Sequence, residues 1–174
     1  MKRRTILFFC MAALLFLAAV LVYVNLPEKT KFPEGAAEGE QLSAFRAVLM
    51  DGSEFDIMKQ RGKVVVINIW ATWCTPCVKE LPYFDKLQRE YATDVTVLAL
   101  HAQPVTTDVS EYLSEFSYEI PFAVDEDGSL GAALNASTVL PQTVIVNADG
   151  IVTYNRSGSL SYEKLKELIS EAGK

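Results

Sequence analysis

Residues 64–82, VVVINIWATWCTPCVKELP, place two cysteines three positions apart directly after a run of β-branched residues. The apolar run is continuous, which is typical of a strand buried on both faces. A helical apolar pattern follows from Pro76 to about Tyr91, with Pro82 as an expected kink. The cysteines are therefore predicted at the carboxyl end of a buried strand, where open α/β sheets place their functional sites.

The inventory of metal-binding residues limits what this cysteine pair can do. The chain has three cysteines and one histidine, whereas a closed structural zinc site needs four such ligands. Covalent haem attachment needs a histidine directly after the second cysteine, where this chain has Val78. A chain of 174 residues, 50% of them hydrophobic, can build a core without disulfide bridges. Redox chemistry is therefore the leading interpretation of Cys74 and Cys77.

The position of the pair at the start of a helix predicts a role for each cysteine. Free N–H groups and the positive end of the helix dipole stabilise a thiolate there. Cys74 lies at the first turn and is predicted to be the nucleophile. Cys77, one turn deeper, is predicted to attack the resulting mixed disulfide and release the substrate.

The first 24 residues have the pattern of a membrane anchor. Lys2, Arg3 and Arg4 precede nineteen uncharged residues, 6–24, which form a helix about 28 Å long and can span a bilayer. A cleaved signal peptide needs a shorter apolar region and a small-x-small site, which this stretch lacks. The cations before the span predict a cytoplasmic N-terminus and an exported remainder. Residues 1–24 are thus predicted to be a single-pass signal anchor in the cell membrane.

Residues 25–41 are rich in Gly, Pro, Glu and Ala without apolar periodicity, and they predict a flexible linker. One extracytoplasmic domain is predicted to follow over residues 42–174. Beyond the span the chain carries thirteen Lys and Arg against twenty-two Asp and Glu. This acidic balance disfavours binding to nucleic acids or to anionic membrane surfaces.

The remaining patterns predict a strand-and-helix order within this domain. Asp51-Gly52 indicates a hairpin turn, and residues 94–101 indicate a second buried strand parallel to the first, joined to it by a right-handed crossover. The further predicted elements are a helix near 109–116, an extended piece at 121–125, a hairpin around 148–150, and a last helix capped by Ser161.

Two segments together carry a family resemblance. VVVINIWATWCTPCVKELP resembles the active-site segment of the thioredoxin superfamily, and VLPQTVIVNADG, residues 139–150, resembles its segment around a cis-proline. With Glu80, the long segment between the two halves and the membrane tether, residues 42–172 resemble the bacterial TlpA/ResA group of extracytoplasmic thiol-disulfide oxidoreductases. The resemblance implies an α/β thioredoxin-like fold: a central mixed sheet flanked by helices, with an N-terminal β-hairpin extension and an insertion between the two halves.

The resemblance also implies roles for residues outside the cysteine pair. In the family, the cis-proline matching Pro141 faces the cysteines, and the backbone of the residue matching Leu140 pairs with the substrate chain. Trp73, next to the predicted nucleophile, is the tryptophan expected to touch a partner, while Trp70 is expected to pack in the core. The predicted substrate-contact residues are Trp73, Thr75, Pro76, Leu140 and Pro141.

Glu80 has two interpretations. A glutamate in the first turns of a helix is usually solvated and favoured by the dipole. However, Glu80 lies three positions after Cys77 and so shares its face of the helix, and the resemblance implies that it tunes the thiols and moves protons. Thioredoxins carry a buried aspartate where this chain has Asn68, which cannot ionise, so the acid/base role is predicted at Glu80. His101, at the end of the second parallel strand, is expected to be a loop residue.

The function that follows is reduction of disulfides in extracytoplasmic client proteins, apocytochromes c included, with electrons from a membrane thiol carrier of the CcdA/DsbD type. The resemblance implies no metal and no organic cofactor besides the redox-active Cys74–Cys77 disulfide. A disulfide-forming oxidant or isomerase on the same fold stays open, as does a copper-delivery protein using two cysteines and His101. A peroxiredoxin-like peroxidase is disfavoured, because its motif needs Pro and Thr where this chain has Ile67 and Ala71.

Overall fold

The structure, a computed structural model, describes Phe16 and residues 36–174. The predicted anchor, except for Phe16, and most of the predicted linker lie outside the described residues. Residues 36–174 form seven strands: β1 (Arg46–Val48), β2 (Glu54–Asp56), β3 (Val64–Trp70), β4 (Val95–His101), β5 (Phe122–Val124), β6 (Gln142–Val146) and β7 (Val152–Ser157). Their helices are α1 (Thr75–Glu90), α2 (Val109–Leu113), α3 (Ser129–Ala133) and α4 (Tyr162–Ala172), with a 3-10 turn at Ile57–Gln60.

The central sheet is mixed and has the strand order β5-β4-β3-β6-β7. β3 and β4 run parallel, and their register ends at the pair Trp70 and His101. β6 runs antiparallel to β3, with Gln142 opposite Ile69, and β7 continues the antiparallel half. The predicted crossover and the predicted C-terminal hairpin are confirmed, and the fold is the expected thioredoxin-like α/β arrangement.

Alternating residues of β3 divide the interior into two cores, because successive side chains of a strand point to opposite faces. Val66 and Trp70 belong to one core, which also contains Cys74, Cys77 and the buried side of α1 and α4. Ile67 and Ile69 belong to the other core, which the N-terminal part of the domain covers. All seven residues of β3 are buried, as the continuous apolar run predicted.

The predicted hairpin extension is present as the antiparallel pair β1 and β2. Its turn is closed by the Asp51 carboxylate, which accepts hydrogen bonds from the backbone and the hydroxyl of Ser53. After β1, Leu49 bridges Ala123 of β5, and the Met50 N–H donates to the Phe122 carbonyl. The extension therefore attaches to the β5 edge of the central sheet.

Residues 36–41, within the predicted linker, contact the folded domain. The Gly39 N–H donates to the Val152 carbonyl at 2.8 Å, and the Val152 N–H donates to the Glu40 carbonyl at 2.9 Å. Ala36 is buried in the second core, and Glu38 forms an ion pair with Arg156. This part of the linker is thus fixed along β7.

The region between the two halves differs from the sequence prediction. α2 ends at Leu113 rather than near residue 116, and α3 was not predicted. The buried Asp125 carboxylate accepts N–H groups of Leu130 and Gly131 at the start of α3. Asp125 precedes the helix in an irregular segment, so no periodic pattern predicts these hydrogen bonds.

Among the residues that the structure describes, no helix is long and apolar enough to cross a membrane. The predicted span, residues 6–24, lies outside the described residues except for Phe16.

Candidate redox-active site

The two cysteines form a disulfide at the start of α1. Their sulfurs are 2.00 Å apart and their Cα atoms 5.3 Å apart. Cys74 is the N-cap of the helix, and its Sγ accepts a hydrogen bond from the Cys77 N–H at 3.4 Å. Thr75 and Pro76 occupy the first turn, where a proline costs no helical hydrogen bond. The sheet and the helix thus place the disulfide where the sequence predicted it.

The two sulfur-bearing residues differ in exposure. Cys77 is fully buried, Cys74 is 6% exposed, and the intervening Thr75 and Pro76 are exposed. An incoming sulfur can therefore approach Cys74 more readily than Cys77. This asymmetry agrees with the predicted order of attack, which stays a prediction.

The turn between β3 and α1 is held by the segment that follows β4. The Thr72 N–H donates to His101 Nε2 at 3.1 Å, and the Thr72 hydroxyl lies 2.6 Å from that of Thr107. The Trp73 indole N–H donates to the Pro104 carbonyl at 3.1 Å. Three successive contacts thus fix the two residues that precede Cys74.

Glu80 is buried rather than solvated, with 2% of its surface exposed. Its Oε2 accepts the Leu160 N–H at 2.8 Å, while Oε1 is buried and has no hydrogen-bond partner among the described residues. The carboxyl lines a small depression of about 190 Å³ together with Pro76, Tyr83 and Leu160. Glu80 lies on the same face of α1 as Cys77, as the sequence indicated.

Burial raises the pKa of Glu80 to about 7, and the hydrogen bond from Leu160 opposes this shift only in part. No ion pair to Glu80 forms among the described residues, so the hydrogen bond from Leu160 alone opposes the loss of solvation. A carboxyl group that titrates near neutral pH can both accept and donate a proton. A role of Glu80 in proton exchange with the thiols stays a prediction.

Asn68 lies at the centre of β3, fully buried, opposite Thr143 of β6. Neither its amide nor the Thr143 hydroxyl has a hydrogen-bond partner in the part of the chain that the structure describes. Asn68 is two positions from Val66 and from Trp70 in β3, so the three side chains point to the same face. Asn68 therefore faces the core that contains the cysteines. It contributes polarity there but no titratable group.

The second predicted segment also lies at the disulfide end of the sheet. The Leu140–Pro141 peptide bond is cis, as the resemblance implied. Gln142, the next residue, pairs with Ile69, so Pro141 is placed beside the end of β3. Leu140 is half-buried and packs against the core that includes both cysteines, whereas Val139 is 60% exposed.

The predicted contact residues differ in accessibility. Trp73 is 48% exposed, and Trp70 is fully buried, which matches the expected division between a partner-facing and a core tryptophan. Thr75 and Pro76 are exposed, and Pro141 is buried. Trp73, Thr75 and Pro76 adjoin the cysteines along the chain, and Pro141 lies beside the end of β3.

His101 ends the second parallel strand, as the sequence indicated, but its expected status as a loop residue is wrong. It is the last residue of β4 and fully buried, and its ring meets that of Trp70 edge-on at 5.1 Å. Burial lowers the pKa of His101. The pairing of Trp70 with His101 was implicit in the two parallel strands, but the contact with Thr72 required the path of the following turn.

No group of three His, Cys, Asp or Glu residues that could hold a metal ion occurs within the described residues. The His101 Nε2 lone pair already accepts the Thr72 N–H. This imidazole nitrogen is therefore occupied and cannot act as the third ligand of a copper site without breaking that bond.

The fold and the buried disulfide at a helix start define a thioredoxin-like thiol-disulfide oxidoreductase. The family model described as Redoxin matches residues 29–169, and the chain belongs to this family. It is 30% identical over 174 residues to the thiol-disulfide oxidoreductase ResA of Geobacillus thermodenitrificans, covering 96% of each chain. It is 29% identical over 138 residues to the thioredoxin-like protein YneN of Bacillus subtilis, covering 78% of this chain and 80% of that one. The ResA-type resemblance is thereby confirmed.

A solved structure shows the same fold. The chain superimposes with a TM-score of 0.70 on a putative thiol:disulfide interchange protein DsbE from Chlorobium tepidum, at 24% identity, covering 79% of this chain and 99% of that one.

Proposed function

We propose that this oxidoreductase is an extracytoplasmic reductant that transfers two electrons from its dithiol to disulfides of client proteins, apocytochromes c among them. The N-terminal anchor holds the domain at the membrane, and a membrane thiol carrier of the CcdA/DsbD type restores the dithiol. No other cofactor takes part. The direction of electron flow separates this proposal from the alternative of a disulfide-forming oxidant.

The reaction has two exchange steps. The Cys74 thiolate attacks one sulfur of the client disulfide, a mixed disulfide forms, and the other client sulfur leaves as a thiolate. Cys77 then gives up its proton and attacks the Cys74 sulfur, so the domain disulfide forms and the second client thiolate leaves. The client gains two electrons, and the domain dithiol loses them.

The burial of Glu80 without a cationic partner is the observation that carries the proposed direction. When Glu80 is ionised, its negative charge on the Cys77 face of α1 disfavours thiolates and so raises the pKa of the thiols. Strong oxidants do the opposite, since they stabilise the thiolate of the reduced form. Destabilised thiolates favour the disulfide, which makes the dithiol the stronger reductant.

Glu80 also supplies a path for the proton in the second step. Cys77 is fully buried, so no water reaches its thiol directly. The Glu80 carboxyl, whose pKa is raised to about 7 by burial, is one helical turn away and can accept this proton. Glu80 also lines the depression beside Pro76 and Leu160, which is the proposed route for release of the proton.

The exposed end of the domain offers a surface for an extended client segment. Trp73 is 48% exposed and Val139 is 60% exposed, and Thr75 and Pro76, between the two cysteines in sequence, are exposed as well. Leu140 precedes β6 near the end of β3, and its backbone is the group proposed to pair with the client chain. A client chain laid along this backbone brings its disulfide to Cys74.

The redox state of the cysteines in cells tests the proposal. Alkylation of the full-length protein in acid-quenched cells should show a dithiol, and deletion of the membrane carrier should convert it to the disulfide. A Cys74→Ala, Cys77→Ala double variant processed in parallel identifies the band in which neither cysteine can form a disulfide. A protein that stays oxidised with the carrier present would instead support the oxidant alternative.

A further inference from the structure

The disulfide-bearing turn depends on a histidine that takes no part in the exchange steps. Residues 71–74 join β3 to α1, and the Cys74 N–H donates to the Ala71 carbonyl at 3.0 Å. Within this turn, the Thr72 N–H donates to the imidazole Nε2 of His101 at 3.1 Å. A side chain 29 positions later in the chain therefore closes the turn.

We infer that His101 is a positioning residue for the Cys74–Cys77 couple: its neutral imidazole, with the proton on Nδ1, accepts the Thr72 N–H and fixes the turn that presents Cys74. The inference holds for either direction of electron flow. It therefore does not depend on the proposed role as a reductant.

The His101 ring is enclosed beside Trp70, with Nε2 next to the Thr72 N–H and Nδ1 buried without a hydrogen-bond partner among the described residues. His101 pairs with Trp70 in the register of β3 and β4, and the Trp70 ring packs edge-on against the His101 ring at 5.1 Å. No part of His101 is exposed. Since Nε2 accepts a hydrogen bond, the proton of the neutral ring is on Nδ1. Burial lowers the pKa of His101, which keeps this acceptor form in place near neutral pH.

The effect on Cys74 follows from the geometry of the turn. The Cys74 Sγ accepts the Cys77 N–H at 3.4 Å, and in the dithiol this N–H and the helix N-terminus stabilise a thiolate. That stabilisation requires Cys74 to remain at the N-cap. Without the His101 acceptor the Thr72 N–H is buried without a partner or the turn rearranges, and the thiolate loses part of its stabilisation.

Two variants of the full-length protein separate the hydrogen bond from mere packing. His101→Gln retains an acceptor that can reach the Thr72 N–H, whereas His101→Phe fills the space beside Trp70 but cannot accept. Leu98→Ala is the matched control, since Leu98 lies in the same strand but in the other core. The readout is the equilibrium of the Cys74–Cys77 couple with the glutathione couple.

In His101→Phe, the equilibrium should move toward the disulfide by about three- to tenfold, the range expected for loss of one hydrogen bond. His101→Gln should restore most of the wild-type value, and Leu98→Ala should leave it unchanged despite a lower stability. A His101→Phe value equal to wild type overturns the inference. So do equal shifts in the Gln, Phe and Leu98→Ala variants, because they show an effect of packing alone.

The ¹⁵N spectrum of the His101 ring gives an independent test in the unmodified protein. The inference requires a protonated Nδ1 and an unprotonated Nε2 at neutral pH, together with slow exchange of the Thr72 amide proton. A ring protonated at Nε2 contradicts it, since that nitrogen then cannot accept the Thr72 N–H.

Discussion

The Glu80 carboxylate accepts the backbone N–H of Leu160 at 2.8 Å across a separation of 80 residues. This bond links α1, which carries the disulfide, to the segment just before α4. It holds one carboxyl oxygen in place and leaves the other buried. The raised pKa of Glu80 follows from this placement, and so do the predictions about pH and thiol chemistry.

The stability of the oxidised protein should depend on pH through Glu80. Its pKa is raised from 4.5 to about 7 by burial, so the folded state favours the protonated carboxyl. The stability that this contributes is fully present below about pH 4.5 and is lost as the pH rises through about 7. Relative to Glu80→Gln, wild type should therefore lose up to about 3 kcal/mol over this window.

Urea unfolding of both proteins at several pH values, with the disulfide intact, measures this difference. Glu115→Gln is a suitable control, because Glu115 is exposed on the same domain. If the wild-type and Glu80→Gln curves run parallel across the window, the Glu80 carboxyl has an ordinary pKa.

Replacement of Glu80 should also change the thiols of the reduced protein. Without the nearby negative charge, the thiolates become less unfavourable, so the pKa of the thiols should fall in Glu80→Gln. Exchange with a client disulfide should nevertheless slow at neutral pH, by about ten- to a hundredfold, because Cys77 loses its proton acceptor. Thiolate absorbance against pH and stopped-flow exchange measure the two effects. Unchanged curves and rates would return Glu80 to a structural role.

The order of attack predicts which cysteine variant traps clients. Cys77→Ala should accumulate mixed disulfides, because Cys74 is the sulfur that an incoming group can reach and no resolving thiol remains. Cys74→Ala should accumulate few, since Cys77 is fully buried. Non-reducing electrophoresis of extracts from alkylated cells shows the adducts. Trapping by Cys74→Ala alone would reverse the two roles.

Trp73 should contribute to recognition of protein clients but not to the chemistry. It is 48% exposed beside Cys74, and large aromatic side chains contribute strongly to contact surfaces. Trp73→Ala should lower kcat/KM for a protein disulfide by about fivefold or more, with little change for a small disulfide reagent. Val48→Ala, which removes an apolar group exposed on the hairpin extension, is the control. Equal losses on both substrates would place Trp73 in the exchange step.

Much of the fold could be predicted from local patterns. The buried strand β3, the helix after the cysteines and the parallel pairing of β3 with β4 each follow from periodicity and the crossover rule. The hairpins follow from their turn residues, and Ser161 does cap α4 by accepting the Lys164 N–H. These features depend on residues close in sequence.

The parts that escaped prediction depend on distant partners. The buried Glu80 accepts the Leu160 N–H, and the buried His101 accepts the Thr72 N–H, so both have partners far away in the sequence. The cap of α3 comes from Asp125, and the cis bond at Gln103–Pro104 has no local signal that separates it from other prolines. A local pattern cannot supply contacts of this kind.

The reduction potential of the Cys74–Cys77 couple in the full-length protein tests the proposed direction of electron flow most directly. Equilibration with glutathione or dithiothreitol buffers, followed by alkylation, gives this value. An extracytoplasmic reductant with Glu80 beside its thiols should have a potential clearly more negative than about −200 mV, and Glu80→Gln should be less negative. A wild-type potential near about −120 mV, the range of a strong disulfide-forming oxidant, would contradict the proposal.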